Sequence, residues 1–293
     1  MKIEQIIKAN TDIVEAALTK YMDVNGYGLE SAMSYSLLGA GKRLRPFIVL
    51  ETYKLFSNND DLDRALPFAC ALEMIHTYSL IHDDLPSMDN DDYRRGKLTN
   101  HKVFGEATAL LAGDSLLTYA FSVICSNTMV SDKCIRYAVK TLSDCAGFSG
   151  MAGGQMIDIN NLVSSFDELT KMHALKTGAL IKCAALLGYF ASSDNPDDAI
   201  INDLEKFAIN IGIAFQIRDD ILDKIADEKI LGKPVGSDDK NNKLTSLSYM
   251  SLEEAQKMVD NLTEEATKII MRYSQADNCV LAELAKYLVN REK

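Results

Sequence analysis

Two carboxylate clusters, far apart in the chain, are where chemistry first shows. One runs His82-Asp83-Asp84-Leu85-Pro86-Ser87-Met88-Asp89 and is followed by Arg94-Arg95-Gly96. The other is Phe215-Gln216-Ile217-Arg218-Asp219-Asp220-Ile221-Leu222-Asp223. Each adjoins an apolar run, 72–81 and 209–217. Carboxylates beside a core are costly unless a cation compensates them. Oxygen ligands without His or Cys suit a hard divalent ion. Mg²⁺ takes one or two carboxylates and completes its shell with water and substrate phosphate.

Spacing sharpens the reading. On a helix, Asp219 and Asp223 stand four residues apart on one face, with Gln216 a turn earlier. Alone they could be a solvated acidic patch, but Phe215, Ile217, Ile221 and Leu222 surround them. Asp83 and Asp84 close an apolar helix that Pro86 should break, and Asp89 returns after the break. Acids at a helix C-terminus oppose the macrodipole. Arg94 and Arg95 supply guanidinium forks matched to phosphate. A third group is Lys42-Arg43-Leu44-Arg45, in which Lys42 and Arg45 can face one ligand. His76 lies on the apolar helix before Asp83, where a lone histidine is more often core than ligand.

The elements that must position these groups read as helices. Apolar residues recur at three- and four-residue spacing in 3–21, 65–81, 106–126, 133–147, 199–224, 252–273 and 280–291. Strand alternation with hairpin turns is hard to find. Pro46 after Gly41–Arg45 suggests a helix entered from a short basic turn. No Ser/Gly/Pro linker divides the chain, so one domain, 1–293, is expected. Segment 227–243, rich in Gly, Asp, Asn and Lys, is expected to be the least ordered.

Composition sets outer limits. The 293 residues are 47% hydrophobic and 25% charged, ordinary for a globular protein. A net charge of −11 argues against a nucleic-acid partner. Cationic residues clustered locally in an acidic chain suggest a small anionic ligand. The six cysteines, 70, 125, 134, 145, 183 and 279, form no CxxC pair and read as buried thiols of a reducing, cytoplasmic compartment. Residues 1–22 mix charges with apolar positions, unlike a signal peptide. The apolar run 178–191 is interrupted by Lys182 and is shorter than a bilayer span, so no transmembrane segment is expected.

Five motifs in order carry a resemblance. They are Gly41-Lys42-Arg43-Leu44-Arg45-Pro46, the Asp83–Arg95 motif, Lys176-Thr177-Gly178, Phe215-Gln216 and Asp219-Asp220-x-x-Asp223. Together they resemble the trans-isoprenyl diphosphate synthases over nearly the whole chain. Within that family they are most similar to the bacterial farnesyl diphosphate synthases. Those also carry two extra residues in the first motif, as in Asp83-Asp84-x-x-x-x-Asp89, and an aromatic residue five positions before it, here Tyr78. The resemblance implies an all-α, single-domain fold around a deep central cavity, the two acid motifs facing across its mouth, and a homodimer. It implies that Asp83, Asp84, Asp89, Asp219, Asp220 and Asp223 bind three Mg²⁺ bridging an allylic diphosphate, dimethylallyl or geranyl. Arg94, Lys176, Thr177, Gln216, Lys233 and Lys243 would contact that diphosphate. Lys42, Arg45, His76 and Arg95 would hold isopentenyl diphosphate. Asp158 would support the metal shell less directly. Asn242-Lys243-Leu244-Thr245 departs from the Gly-Lys-Ser/Thr of many relatives.

The implied reaction is head-to-tail condensation to farnesyl diphosphate, with geranylgeranyl diphosphate synthesis or a non-catalytic subunit of a heteromeric prenyltransferase as alternatives. A subunit of that kind should have lost motif acids or arginines, and none is missing. A class I terpene cyclase normally mixes Asn/Asp, Ser/Thr and Glu in its second motif, unlike Asp219-Asp220-x-x-Asp223. Tyr78 and Ser79, five and four residues before Asp83, are the expected chain-length residues. At ~1.5 Å per residue Tyr78 lies about 7.5 Å down the helix from the first metal ligand.

Overall fold

The computed structural model describes residues 2–23, 27–57, 61–231, 244–275 and 279–290. In chain order the helices are α1 (Ile3–Tyr21), α2 (Leu29–Leu37), α3 (Leu44–Ser57), α4 (Leu66–Asp83), α5 (Asn100–Phe104), α6 (Glu106–Cys125), α7 (Asp132–Ala146), α8 (Met151–Ile159), α9 (Phe166–His173), α10 (Ala179–Ser192), α11 (Asp198–Leu231), α12 (Leu252–Met271) and α13 (Val280–Val289). A π-helical segment, Ala174–Gly178, joins α9 to α10, and a 3₁₀ turn, Ser246–Ser248, precedes α12. The described strands are β1 (Tyr93–Arg94) and β2 (Lys97–Leu98), paired antiparallel.

The residues form two compact units, Met1–Lys140 with Leu187–Pro196, and Thr141–Leu186 with Asp197–Lys293. In the first, α3 and α4 are the central helices. Pro46–Tyr53 and Phe68–Ile75 are buried without interruption, the signature of helices covered all round rather than on one stripe. Two carboxylates inside this core are compensated. Glu51 accepts from Asn10 Nδ2 and Lys54 Nζ, and Glu73 pairs with Arg43 at 2.7 Å. In the second unit, Ile213, Ala214, Ile217 and Ile221 of α11 pack with Ala255 and Val259 of α12 and Val289 of α13. Ser251 caps α12 by accepting from the Glu254 N–H, and Glu254 answers the Ser251 N–H.

Periodicity located the long amphipathic helices to within a few residues at most ends. The structure adds α2, α5, α8 and α9, too short for a periodic signal, and the β1–β2 hairpin. Its strands have two residues each, below any alternation pattern. Arg95 (φ 52°) and Gly96 (φ 76°) form its loop, and positive φ at both central positions is what a type I′ turn requires. The apolar run 178–191 lies inside a longer helical stretch. Phe166–Ser192 and Glu106–Cys125 are both long and apolar enough, by length and composition alone, to cross a membrane. The most apolar part of Phe166–Ser192 is 72% buried against 39% for Glu106–Cys125. The first is therefore a core helix, whereas α6 keeps an apolar face outward.

Candidate active site

The first unit carries a basic pole and an acid pole joined by the hairpin. At the basic pole, Arg43 is buried with φ 47°, and its guanidinium donates to Glu73, to Leu37 O and to Gly39 O. The bonds to Leu37 and Gly39 satisfy carbonyls left open at the end of α2. With Arg43 pinned inward, exposed Lys42 and half-buried Arg45 sit on either side of the anchor. Arg45 Nη1 lies 3.3 Å from His76 Nε2. Burial lowers the His76 pKa well below the usual histidine range, and Arg45, Arg95, Arg43 and Arg94 lower it further. His76 is therefore neutral near pH 7, and Nε2 accepts from Arg45. Arg95 reaches back to donate to Ala40 O at 2.8 Å. Its guanidinium lies over Gly41, where a Cβ would stand 2.6 Å from Nη1. Arg45, His76 and Arg95 are thus gathered, with Lys42 next to the glycine on which Arg95 rests.

At the acid pole, α4 ends in Asp83, and the loop past Pro86 folds back so that the Asp89 N–H donates to Asp83 O at 2.8 Å. This return, with Asn90 at φ 54°, brings Asp89 beside the helix end despite the break. Asp84 is buried and held by Arg94 through Nε at 2.7 Å and Nη2 at 2.6 Å. Burial raises the Asp84 carboxyl, and the Arg94 bond pulls it back only in part. A buried acid incompletely compensated by its arginine fits a site that a stronger cation would take. Adjacent in sequence, Arg94 and Arg95 point to different poles because one is on a strand and the other in the turn. Tyr78 is half-buried, its ring edge-to-face with His82. The Ser79 hydroxyl donates to His76 O of its own helix. A small cavity of about 60 Å³ is lined on another face of α4 by Thr77, Ile81 and Asp84, with Arg94 and Arg95.

The second unit has a larger cavity, about 280 Å³, lined by Asp158, Lys176, Gln216, Asp219, Asp220 and Asp223 among others. Asp158 sits in the last turn of α8. That helix ends with Asn161 at φ 50°, the Leu162 N–H on Ile157 O and the Asn161 N–H on Asp158 O, a Schellman cap. Lys176 Nζ donates to Asp158 Oδ2 at 2.6 Å, offsetting an acid placed against the helix dipole. Lys176 and Thr177 lie in the π-helical segment, a form that recurs at functional sites. Glycines on both sides admit it. A Cβ on Gly154 would stand 2.4 Å from the Lys176 backbone nitrogen, and one on Gly212 would stand 2.6 Å from Gly178 Cα. Gln216 Nε2 approaches Asp219 Oδ2 at 3.4 Å, and the Ser246 N–H donates to Asp220 Oδ2 at 2.8 Å.

Among the described residues, no three His, Cys, Asp or Glu side chains are gathered as a metal-holding group. The donor set of Asp219, Asp220 and Asp223 is nonetheless all oxygen and shares a cavity with a lysine. That fits an ion whose remaining ligands come from phosphate and water. Lys233 and Lys243, and most of the segment 227–243, lie outside the described residues. Sequence reasoning passed over His173, which lines the second cavity and whose pKa burial pushes down to about 4. It also gave no packing role to the glycines at 41, 154 and 212. A glycine's packing partner comes from another element, so its role leaves no local mark.

Two anion-ready poles on an all-helical frame define a class of enzyme that handles diphosphates. A family profile described as polyprenyl synthetase matches residues 27–280, and the chain belongs to that family. It is 43% identical to the farnesyl diphosphate synthase of Geobacillus stearothermophilus, over 100% of this chain and 99% of that protein. It is 42% identical to the geranylgeranyl diphosphate synthase of Cyanophora paradoxa, over 96% of this chain and 93% of that one. A solved geranyltransferase from Legionella pneumophila matches with a TM-score of 0.85 at 30% identity, covering 98% of this chain and 97% of that one. The fold is the all-helical isoprenoid synthase fold.

Proposed function

We infer that this protein condenses isopentenyl diphosphate with dimethylallyl and then geranyl diphosphate, releasing farnesyl diphosphate. The observation that carries this is the division of the first unit into a buried arginine–histidine pole and an acid pole, with Arg94 and Arg95 directed one to each. Two diphosphates of different roles need such a division. Lys42, Arg45, His76 and Arg95 hold isopentenyl diphosphate. Asp83, Asp84 and Asp89, with Asp219, Asp220 and Asp223, hold Mg²⁺ for the allylic diphosphate, three ions when substrate is bound. Arg94, Lys176, Thr177, Gln216, Lys233 and Lys243 contact that diphosphate, and Asp158 gives up Lys176 to it. The two units act as one synthase domain, a reading supported by a family profile that runs through both.

When bound, the metal neutralises charge on the departing diphosphate. Arg94 and Lys176 add fixed positive charge where the departing diphosphate oxygen becomes negative. The allylic C–O bond breaks, the double bond of isopentenyl diphosphate attacks C1, and the proton from C2 passes to the released diphosphate. His76, held neutral first by burial and then by four arginines, positions rather than protonates. Tyr78 sets product length by standing in the path of the growing chain, with Ser79 beside it.

The enzyme is a homodimer. α6 leaves Leu110 46% and Leu111 54% exposed, and α5 leaves Val103 exposed, apolar surface suited to a second copy. It works in the cytoplasm, without a membrane span. All six cysteines are free thiols, which suits a reducing compartment. Incubation with Mg²⁺, isopentenyl and dimethylallyl diphosphates, followed by chromatography of the dephosphorylated products, tests the reading. A C15 alcohol is expected. A C20 product favours the geranylgeranyl alternative, and no product overturns the assignment.

A further inference from the structure

His82 lies between Tyr78 and helix α6. Its ring meets that of Tyr78 edge-to-face, centroids 5.7 Å apart at 76°. Its Nε2 lies 3.0 Å from Leu110 O. A carbonyl only accepts, so Nε2 carries the proton and donates. Asp114 Oδ1 is a further 3.8 Å neighbour of the same nitrogen. The ring also presses its Nε2 edge against α6 at Gly113. A Cβ there would stand 2.4 Å from Cδ2, 2.9 Å from Cε1 and closer still to Nε2. Gly113 is buried, and no larger residue fits while the ring keeps its place.

Tyr78 and His82 are four residues apart on α4, stacked on one face. The tyrosine ring thus meets a side chain that another helix holds at two points, Leu110 O and Gly113. We propose that His82, seated on Gly113 and bonded to Leu110, is a positioning residue for product length: it holds the Tyr78 ring where the growing prenyl chain must stop. This rests on the reading of Tyr78 as the chain-length floor. His82 touches no reacting atom in this account. It acts through the ring it braces, and Gly113 is the space that lets it do so.

The experiment is product analysis of the full-length enzyme with Mg²⁺ and both C5 substrates, alongside thermal melts of each variant. His82→Ala should raise the C20-to-C15 ratio about 2- to 10-fold, the factor an edge-to-face ring pair is worth, while total consumption of isopentenyl diphosphate changes little. His82→Gln keeps a donor at the reach of Nε2 without the ring and should shift the ratio the same way, so it serves if the alanine variant does not fold. Gly113→Ala should alter the ratio with His82 present and leave it unchanged in the His82→Ala background. In Tyr78→Ala, which should itself lengthen the product, adding His82→Ala should change nothing further. If Tyr78→Ala lengthens the product but both His82 variants stay at C15, the positioning role is wrong and the floor reading stands. If Tyr78→Ala stays at C15, the floor reading fails first. Loss of turnover in the His82 variants with the C15 share intact would also overturn the proposal, since it would mark a role at the acid pole instead.

Discussion

Asp84 with Arg94, and Asp158 with Lys176, solve the same problem in the two units by different means. Each acid stands at a helix C-terminus, against the dipole, and each is held by one cation at 2.6–2.7 Å. In the first unit the acid is buried and the cation is an arginine on a hairpin, whose Nε and Nη2 both donate to Oδ1. Arginine cannot give up its charge and holds the carboxylate in a fixed fork. In the second unit a flexible lysine serves, on a π-helical segment facing a 280 Å³ cavity. The difference separates a pole shaped in advance from one with room to be completed by its ligand. The glycines follow the same division. Gly41 faces the end of a side chain, whereas Gly154 and Gly212 face backbone.

The largest effects should come from removing one motif acid from each unit. Asp83→Ala and Asp219→Ala should each cut turnover by ~10²–10³ or more, as loss of one element stabilising developing charge typically does, with circular dichroism unchanged. Near-normal activity of either with Mg²⁺ present would separate the two poles and remove the metal assignment.

Arg94→Ala and Arg95→Ala test whether the hairpin divides its two arginines as their contacts do. Arg94→Ala should chiefly raise KM for the allylic substrate and leave Asp84 buried without its partner. Arg95→Ala should chiefly raise KM for isopentenyl diphosphate. Steady-state kinetics with each substrate varied in turn is the measurement, and equal effects on both constants would erase the division.

The glycines sharpen the contrast at smaller cost. Gly212→Ala places a methyl against the backbone of Gly178 and should destabilise by about 1–3 kcal/mol through overpacking. It should also weaken the allylic substrate by moving Lys176 and Thr177. Gly41→Ala meets only the movable guanidinium of Arg95, so its melting temperature should stay near wild type while KM for isopentenyl diphosphate rises. A large loss of stability in Gly41→Ala would mean that the first pole is as tightly packed as the second.

The smallest effect is in pH. Histidine titrates near 6.5 in an unfolded chain, and His76 is lowered well below that in the fold, first by burial and then by the arginines. Below about pH 6.5 the unfolded state therefore binds the extra proton and the folded state does not. The stability held by neutral His76 is complete above that pH and is lost as pH falls below it. His76→Gln should flatten the decline of melting temperature on acidification. An unchanged slope would show that the fold does not hold this histidine neutral, whether by burial or by the arginines.

The sequence by itself determined the helical class, because seven long stretches repeat at the α-helical period and core burial enforces that period. It also named both acid motifs and the arginine pair, since acids and forks beside apolar runs demand a compensating ligand whatever the fold. Spacing set Lys42 and Arg45 apart from Arg43 but could not say what holds Arg43, because its partner Glu73 stands thirty positions away. The hairpin that parts Arg94 from Arg95 left no pattern in two-residue strands. The seats of the π-helical segment and of His82 were equally hidden, since a glycine's purpose depends on what another helix presses against it. Local periodicity and charge are written along one dimension, but pairing, burial and close approach are properties of residues far apart in the chain, and only the tertiary structure decided those.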